Sequence, residues 1–189
     1  MTQFVEIGVC YRLLNHGPTI LVSSSFNGKQ NIMAAAWNMP LDLDPPKICV
    51  VIDKNTYTRE LIEASGTFAI NVPCVVQVDL VTKLGSYSGR ELDGIDKFAE
   101  NQLQTFAAKH IAAPLLAGCV AWLECKIIPE PHNQNSYDLF IAEVVAAYAD
   151  ERVFTDGHWH FEEHDELRTI HHVAGGAFFA TGAAIQSSI

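Results

Sequence analysis

Three stretches of this chain place polar or small residues where a ligand can meet backbone. Lys54-Asn55-Thr56-Tyr57-Thr58 lies between a strand-like run and a helix-like one, where the free N–H groups and dipole of a helix start favour an anion such as a phosphate. Lys54, or Arg59 one turn later, could add a charge-assisted contact. The same residues also suit a plain helix cap built from Asn55 or Thr56, with Lys54 or Arg59 in a surface ion pair to Glu60 or Glu63. Ala34-Ala35-Ala36 is a run of small side chains whose backbone a flat ring can approach closely. Trp37, Asn38 and Met39 follow with an aromatic wall, a polar group and a soft apolar contact, although the run reads equally as a well-packed strand. Ser86-Tyr87-Ser88-Gly89-Arg90 is a flexible polar turn ahead of Asp93, Asp96 and Lys97. It is either a ligand loop or one stitched to neighbouring carboxylates by Arg90 and Lys97.

Histidine offers a further possibility. His158, His160 and His164, followed by His171 and His172, are abundant ligand types. On a strand, positions 158 and 160 share a face, but 164 needs a bend to join them. The flanking Asp156, Gly157, Asp165 and Glu166 have the composition of a solvated loop, so no metal site is expected. The chain has no G-x-G-x-x-G after a strand, no G-x-x-x-x-G-K-[ST], no G-x-S-x-G and no H-E-x-x-H. Rossmann, P-loop, α/β-hydrolase and zincin readings therefore lose their main support.

The elements that must position these residues are mostly strands. Pro18–Ser25, Asn31–Met39, Lys47–Asp53, Thr67–Val72, Cys119–Ile128 and Tyr137–Tyr148 are rich in β-branched and aromatic residues and are punctuated by Gly or Pro. Asn27-Gly28 marks a hairpin between the first two. Helices are expected over Thr56–Ala64, closed by Gly66, and Val75–Leu84, closed by Gly85. Ile128–Phe140, with Pro129 and Pro131, reads as the loop of a long hairpin. Many strands with few helices predict a mainly β fold built as an antiparallel barrel.

At 189 residues without repeats or linkers, the chain is expected to form a single domain, residues 1–189. Its core spans about 10–150, and the tail 151–189 packs on the barrel or on a partner subunit because Gly175-Gly176-Ala177-Phe178-Phe179 is too apolar to stay free in water. Hydrophobic residues at 49% against 18% charged exclude a disordered chain. The net charge of −10 argues against nucleic-acid binding and against anionic membranes, while a few local donors can still hold a small anion. No transmembrane or secretory segment is apparent, so the expected location is the cytoplasm. Five cysteines without a C-x-x-C pair suit reduced, buried thiols.

Taken in order, Asn31 to Pro46, Lys54 to Ile62, Thr67-Phe68-Ala69-Ile70-Asn71-Val72-Pro73, Gly85 to Phe98 and Leu123-Glu124-Cys125 resemble the flavin reductase-like family, most closely its flavoredoxin-type members. The resemblance covers roughly residues 10–150, and the end of the chain, Arg168–Gly182, is also similar to flavoredoxin-type tails. It implies an FMN-binding split β-barrel, a homodimer with flavin near the subunit interface, and redox work done by that flavin. It carries Ser88, Gly89, Arg90 and Lys97 over as flavin contacts and makes FMN phosphate the candidate anion at Lys54–Thr58. Ala35, Ala36, Trp37, Asn38 and Met39 then lie near the ring, with Asn38 and Asn71 as candidates for tuning it by hydrogen bonds. No catalytic base or nucleophile is required, because the isoalloxazine itself accepts the hydride.

The resemblance implies an oxidoreductase passing electrons from NAD(P)H or a protein donor through FMN to a flavin, protein or small acceptor. Its alternatives are an electron carrier without NAD(P)H activity, a flavin-storage module, and a metal enzyme built on His158–His172.

Overall fold

The computed structural model describes residues 1–189. Its main sheet is antiparallel and eight-stranded, with β1 (Thr2–Phe4), β2 (Ile20–Phe26), β3 (Lys29–Ala35), β4 (Asn38–Leu43), β5 (Pro46–Val51), β6 (Thr67–Val72), β9 (Ala121–Ile128) and β10 (Leu139–Asp150). The hydrogen-bonded path runs β3-β2-β6-β9-β10-β5-β4, with β1 on the far half of β10. The two end strands of that path, β3 and β4, are joined through Ala36-Trp37 alone, so the sheet coils back towards itself at this corner. The fold is mainly β with few helices.

Strand alternation divides the side chains between two cores. Ile20 and Val22 on β2, Phe68, Ile70 and Val72 on β6, and Ala121, Leu123 and Cys125 on β9 enter the larger core. Leu21, Ala69 and Trp122 enter the other. On β10 the parity changes: Phe140, Ala142 and Val144 face the larger core, and so do Ala147 and Ala149. A bulge between Val144 and Ala146 makes this change, because one extra residue sends every later side chain to the opposite face.

The second face also holds buried polar groups. Glu124 accepts the backbone N–H groups of Lys109 (2.8 Å) and His110 (2.6 Å) and the Tyr148 hydroxyl (2.9 Å). The segment around the short ribbon β7 (Thr105–Phe106) and β8 (Leu115–Leu116) is thereby fixed to the sheet.

Several expected elements change in the structure. The run Asn31–Met39 is not one strand: β3 ends at Ala35, and β4 begins at Asn38 to pair with β5. Helix α1 (Tyr57–Ser65) is capped by Thr56, whose Oγ1 accepts from Arg59 N–H at 3.4 Å, and ends at Gly66 with φ +70°. Val75–Leu84 divides into a 3₁₀ turn over Val75–Gln77 and α2 (Val78–Gly85). After α3 (Lys97–Glu100), the expected loop Ile128–Phe140 contains α4 (Pro131–Tyr137), with Pro131 in the first turn where its missing N–H costs nothing. The Asn27-Gly28 hairpin has φ +48° and +75°, the pair of positive values a tight two-residue turn requires.

The tail forms a ribbon, β11 (Phe154–Thr155) with β12 (His158–Trp159), and a hairpin, β13 (Ile170–Ala174) with β14 (Ala177–Ala180). No helix is long and apolar enough to cross a membrane. All five cysteines are buried free thiols, and burial raises each of their pKa values, that of Cys10 to about 12.

Candidate functional site

The start of α1, the small residues of β3 and the end of α2 meet in one trough. Its polar half, 310 Å³, is lined by Asn31, Met33, Ala34, Asn55, Thr56, Tyr57, Thr58, the run Leu84 to Gly89, Glu91 and Lys97. Its apolar half, 280 Å³, is lined by Thr19, Ala34, Ala35, Ala36, Val81, Thr82, Gly85, Ser86, His172, Gly176 and Phe178. Ala34, Gly85 and Ser86 belong to both halves, which makes the trough continuous. Each half is close to the lower bound of about 300–1,000 Å³ seen for small-molecule clefts, so together they suit an elongated ligand.

The chemistry changes along its length. At one end, Tyr57 and Thr58 open α1 with N–H groups that have no intrahelical acceptor. In the middle, Asn31 is buried; its Nδ2 donates to Thr58 Oγ1 at 2.8 Å, while its Oδ1 has no partner. Gly89 presses against the same amide. A Cβ there would overlap Asn31 Oδ1 and stand 3.1 Å from the Tyr57 ring, so only glycine lets the backbone approach. At the far end the wall is three alanines facing Phe178. The arrangement can hold a ligand with an anionic group, a hydroxyl-bearing centre and a flat apolar end.

The expected site residues divide between this trough and other places. Asn55, Thr56, Tyr57, Thr58, Ser88, Gly89, Lys97, Ala35 and Ala36 line it. Trp37 and Met39 do not, being 75% and 53% exposed beyond the corner that ends β3. Asn38 donates instead to Pro18 O at 2.9 Å. Lys54 is exposed and outside the lining. Arg59 turns into the protein, to Glu63, Asp138 and the carbonyls of Ile52 and Gln134. Arg90 lines a neighbouring 600 Å³ cavity, pairs with Glu60 and donates to Asn55 O at 2.6 Å, strapping the 88–91 turn to the start of α1. Asn71 lies in the interior, where it donates to Leu21 O and Ser23 Oγ and accepts from Leu116 N–H at 2.7 Å. The histidines of the tail go to separate partners: His158 to Asp156 O, His160 to Thr155, His164 to Glu166 and His171 to Gly17 O. No three His, Cys, Asp or Glu side chains converge.

Lys97 is only 2% exposed; its ammonium donates to Leu84 O and lies 4.5 Å from the centroid of the Tyr87 ring. Burial lowers its pKa from 10.5 to about 8, against an opposing pull from Glu91. Between these values the unfolded chain binds the extra proton, so this group makes stability rise as pH rises from about 8 towards 10.5. Unfolding free energies of wild type and Lys97→Met, measured across that range, should diverge in favour of wild type. A constant difference would show that the ammonium is not desolvated.

The fold is that of the FMN-binding flavin reductase-like proteins. An FMN-binding domain of a flavin reductases-like enzyme from Shewanella baltica OS155 superposes with TM-score 0.95 at 48% identity, covering 100% of this chain and 98% of that one. Flavoredoxin of Desulfovibrio vulgaris (Miyazaki F) gives 0.77 at 27% identity, covering 91% and 90%. The chain belongs to the flavin reductase like domain family, whose model matches residues 11–168. The uncharacterized protein YddH of Escherichia coli K12 is 41% identical over 192 residues, 99% of this chain and 100% of that protein. Asn31, Met33, Ser86 and Tyr87 were not among the expected contacts; the orphaned oxygen of Asn31 is visible only once β3 and the 88–91 turn are brought together.

Proposed function

We propose that this chain is an FMN-dependent oxidoreductase of the flavin reductase and flavoredoxin type, passing electrons from NAD(P)H or a protein donor to a flavin, protein or small acceptor. The observation that carries this reading is the buried, unpartnered Asn31 Oδ1 beside the Gly89 backbone, midway between a helix start and a wall of alanines. The residues present fit FMN. Tyr57 and Thr58 N–H groups would hold the phosphate, Asn31 Oδ1 would accept from a ribityl hydroxyl, and Ala34, Ala35 and Ala36 would lie along the ring. When bound, the flavin supplies hydride and electron transfer, while the chain supplies orientation and electrostatics.

A second reading, an electron carrier without NAD(P)H activity, is favoured by one feature. No Lys or Arg lines the apolar half of the trough, so no cation there meets the phosphates of a dinucleotide. The visible spectrum of the purified protein, followed by anaerobic NADH or NADPH, separates the two. Flavin bands near one per subunit that bleach rapidly support the oxidoreductase. Bands that persist support the carrier, and a colourless protein that ignores added FMN overturns both.

The homodimer belongs to the same proposal. Trp37, at the corner before β4, and Met39, Leu41 and Leu43 on β4, the last strand of the sheet path, are 75%, 53%, 47% and 56% exposed. An apolar edge strand of this kind invites a partner, and we assign it to a second copy of the chain. Leu41→Asp is expected to halve the mass in sedimentation equilibrium; an unchanged mass would place the interface elsewhere.

A further inference from the structure

The C-terminal hairpin closes one side of the apolar half of the trough, and its attachment is rigid. Thr19 N–H donates to Ile170 O at 2.8 Å, and His172 N–H donates to Thr19 Oγ1 at 2.8 Å, so β13 is tied to the chain just before β2. Below it, Thr181 N–H donates to Thr169 O at 2.9 Å, and Arg168 donates to the carbonyls of Thr181 (3.0 Å) and Gly182 (2.7 Å). Gly175 and Gly176, at φ +57° and +83°, make the reversal that returns Phe178 beside His172, with ring centroids 5.1 Å apart. Both rings line the trough with Ala34, Ala35 and Ala36.

Within that half, His172 is the only side chain able to carry charge; the other polar ones are the hydroxyls of Thr19, Thr82 and Ser86. His171 is occupied by Gly17 O and Thr181, and His16 by Thr169. Neither ring nitrogen of His172 has a protein partner, although its backbone is fixed. An exposed imidazole on a tethered backbone, packed beside Phe178 with free N–H capacity at the rim of the trough's apolar half, is placed to interact with whatever charge a ring there acquires.

We propose that His172, presented by the C-terminal hairpin, contacts the ring of the bound flavin and favours its reduced form over its oxidised form. This rests on the flavin reading of the trough. Reduction adds electrons to the ring, and a fixed donor or cation at its edge stabilises the added negative charge more than the neutral oxidised ring. Phe178 sets the side from which the imidazole approaches.

The test is the midpoint potential of protein-bound FMN, measured against a reference dye, together with the Kd for oxidised FMN, in wild type, His172→Ala and His172→Lys. His172→Ala is expected to bind oxidised FMN within a few-fold of wild type but to lose about tenfold in its preference for reduced flavin, a fall of about 30 mV for a two-electron couple. His172→Lys, which places a cation at the same position, should recover most of that fall. A potential unchanged in His172→Ala while FMN remains bound overturns the role of His172 and leaves the flavin site standing. Wild type that binds no FMN overturns the flavin reading itself. If His172→Ala also weakens oxidised FMN, the lysine variant decides: recovery of the potential supports the proposal, and failure to recover it assigns the hairpin a purely structural role.

Discussion

Gly89→Ala is expected to weaken FMN binding by about 10–100-fold, the equivalent of about 1.4–2.8 kcal/mol. The new Cβ would overlap Asn31 Oδ1 and come within 3.0 Å of Asn31 Cγ. Asn31 cannot simply swing away, because its amide is buried and its other end is held by Thr58 Oγ1 at 2.8 Å. Rotating it breaks that bond and leaves a buried amide group unpaired, at about 1–3 kcal/mol. Lifting the 88–91 turn instead separates Ser88 and Gly89 from the start of α1 and opens the polar half of the trough. Both responses act on the ligand more than on the sheet. Fluorescence titration of FMN against wild type and variant reads the effect. A Kd within twofold of wild type would remove the trough as the flavin site.

Arg59→Met is expected to lower stability by about 2–4 kcal/mol, which for a chain of this length is a fall of about 5–15 °C in Tm. The guanidinium is nearly buried and joins three elements: Glu63 on its own helix at 2.7 Å, Asp138 at the end of α4, and the carbonyls of Ile52 (3.3 Å) and Gln134 (2.8 Å). Its Cζ lies 5.1 Å from the Phe140 ring centroid at the start of β10. Methionine keeps the stem packing, so the loss reports the polar network: Asp138 keeps a charge with no cation beside it, and two carbonyls lose their donor. Because α1 also opens the trough, the variant should bind FMN more weakly than its Tm alone accounts for. A Tm within two degrees of wild type would show that the network is replaced by solvent.

The sheet was legible because its strands follow simple patterns. Thr67–Val72 alternates between the two cores and is bounded by Gly66 and Pro73, so its limits coincide with those of β6. The turn at Asn27-Gly28 announces itself through residues that tolerate positive φ. The corner at Ala36-Trp37 has no such signal, since neither residue is a turn former; the break arises because β4 pairs with β5 rather than continuing beside β2. That one corner takes Trp37, Asn38 and Met39 away from the trough while leaving Ala35 and Ala36 in it. The run from Asn55 to Thr58 was readable as an anion site from local chemistry, whereas Arg59, Asn71 and Arg90 were drawn elsewhere by Asp138, Ser23 and Glu60, 79, 48 and 30 residues away. Long-range partners leave no mark on local spacing. The C-terminal hairpin was legible as apolar, but its wall of the trough depends on Thr19, which nothing in the tail specifies.

The five buried thiols bear on how such a chain ages. Oxidants attack the thiolate rather than the thiol, and burial keeps all five protonated well above neutral pH. The chain therefore has no thiol poised to form sulfenic acid or a stray cross-link. Its exposed sulfurs are the thioethers of Met1, just ahead of β1, and Met39, on the edge strand β4. Oxidative wear would thus register first at the outer margins of the sheet, as polar sulfoxides at exposed positions, while the interior that shapes the trough stays chemically unchanged.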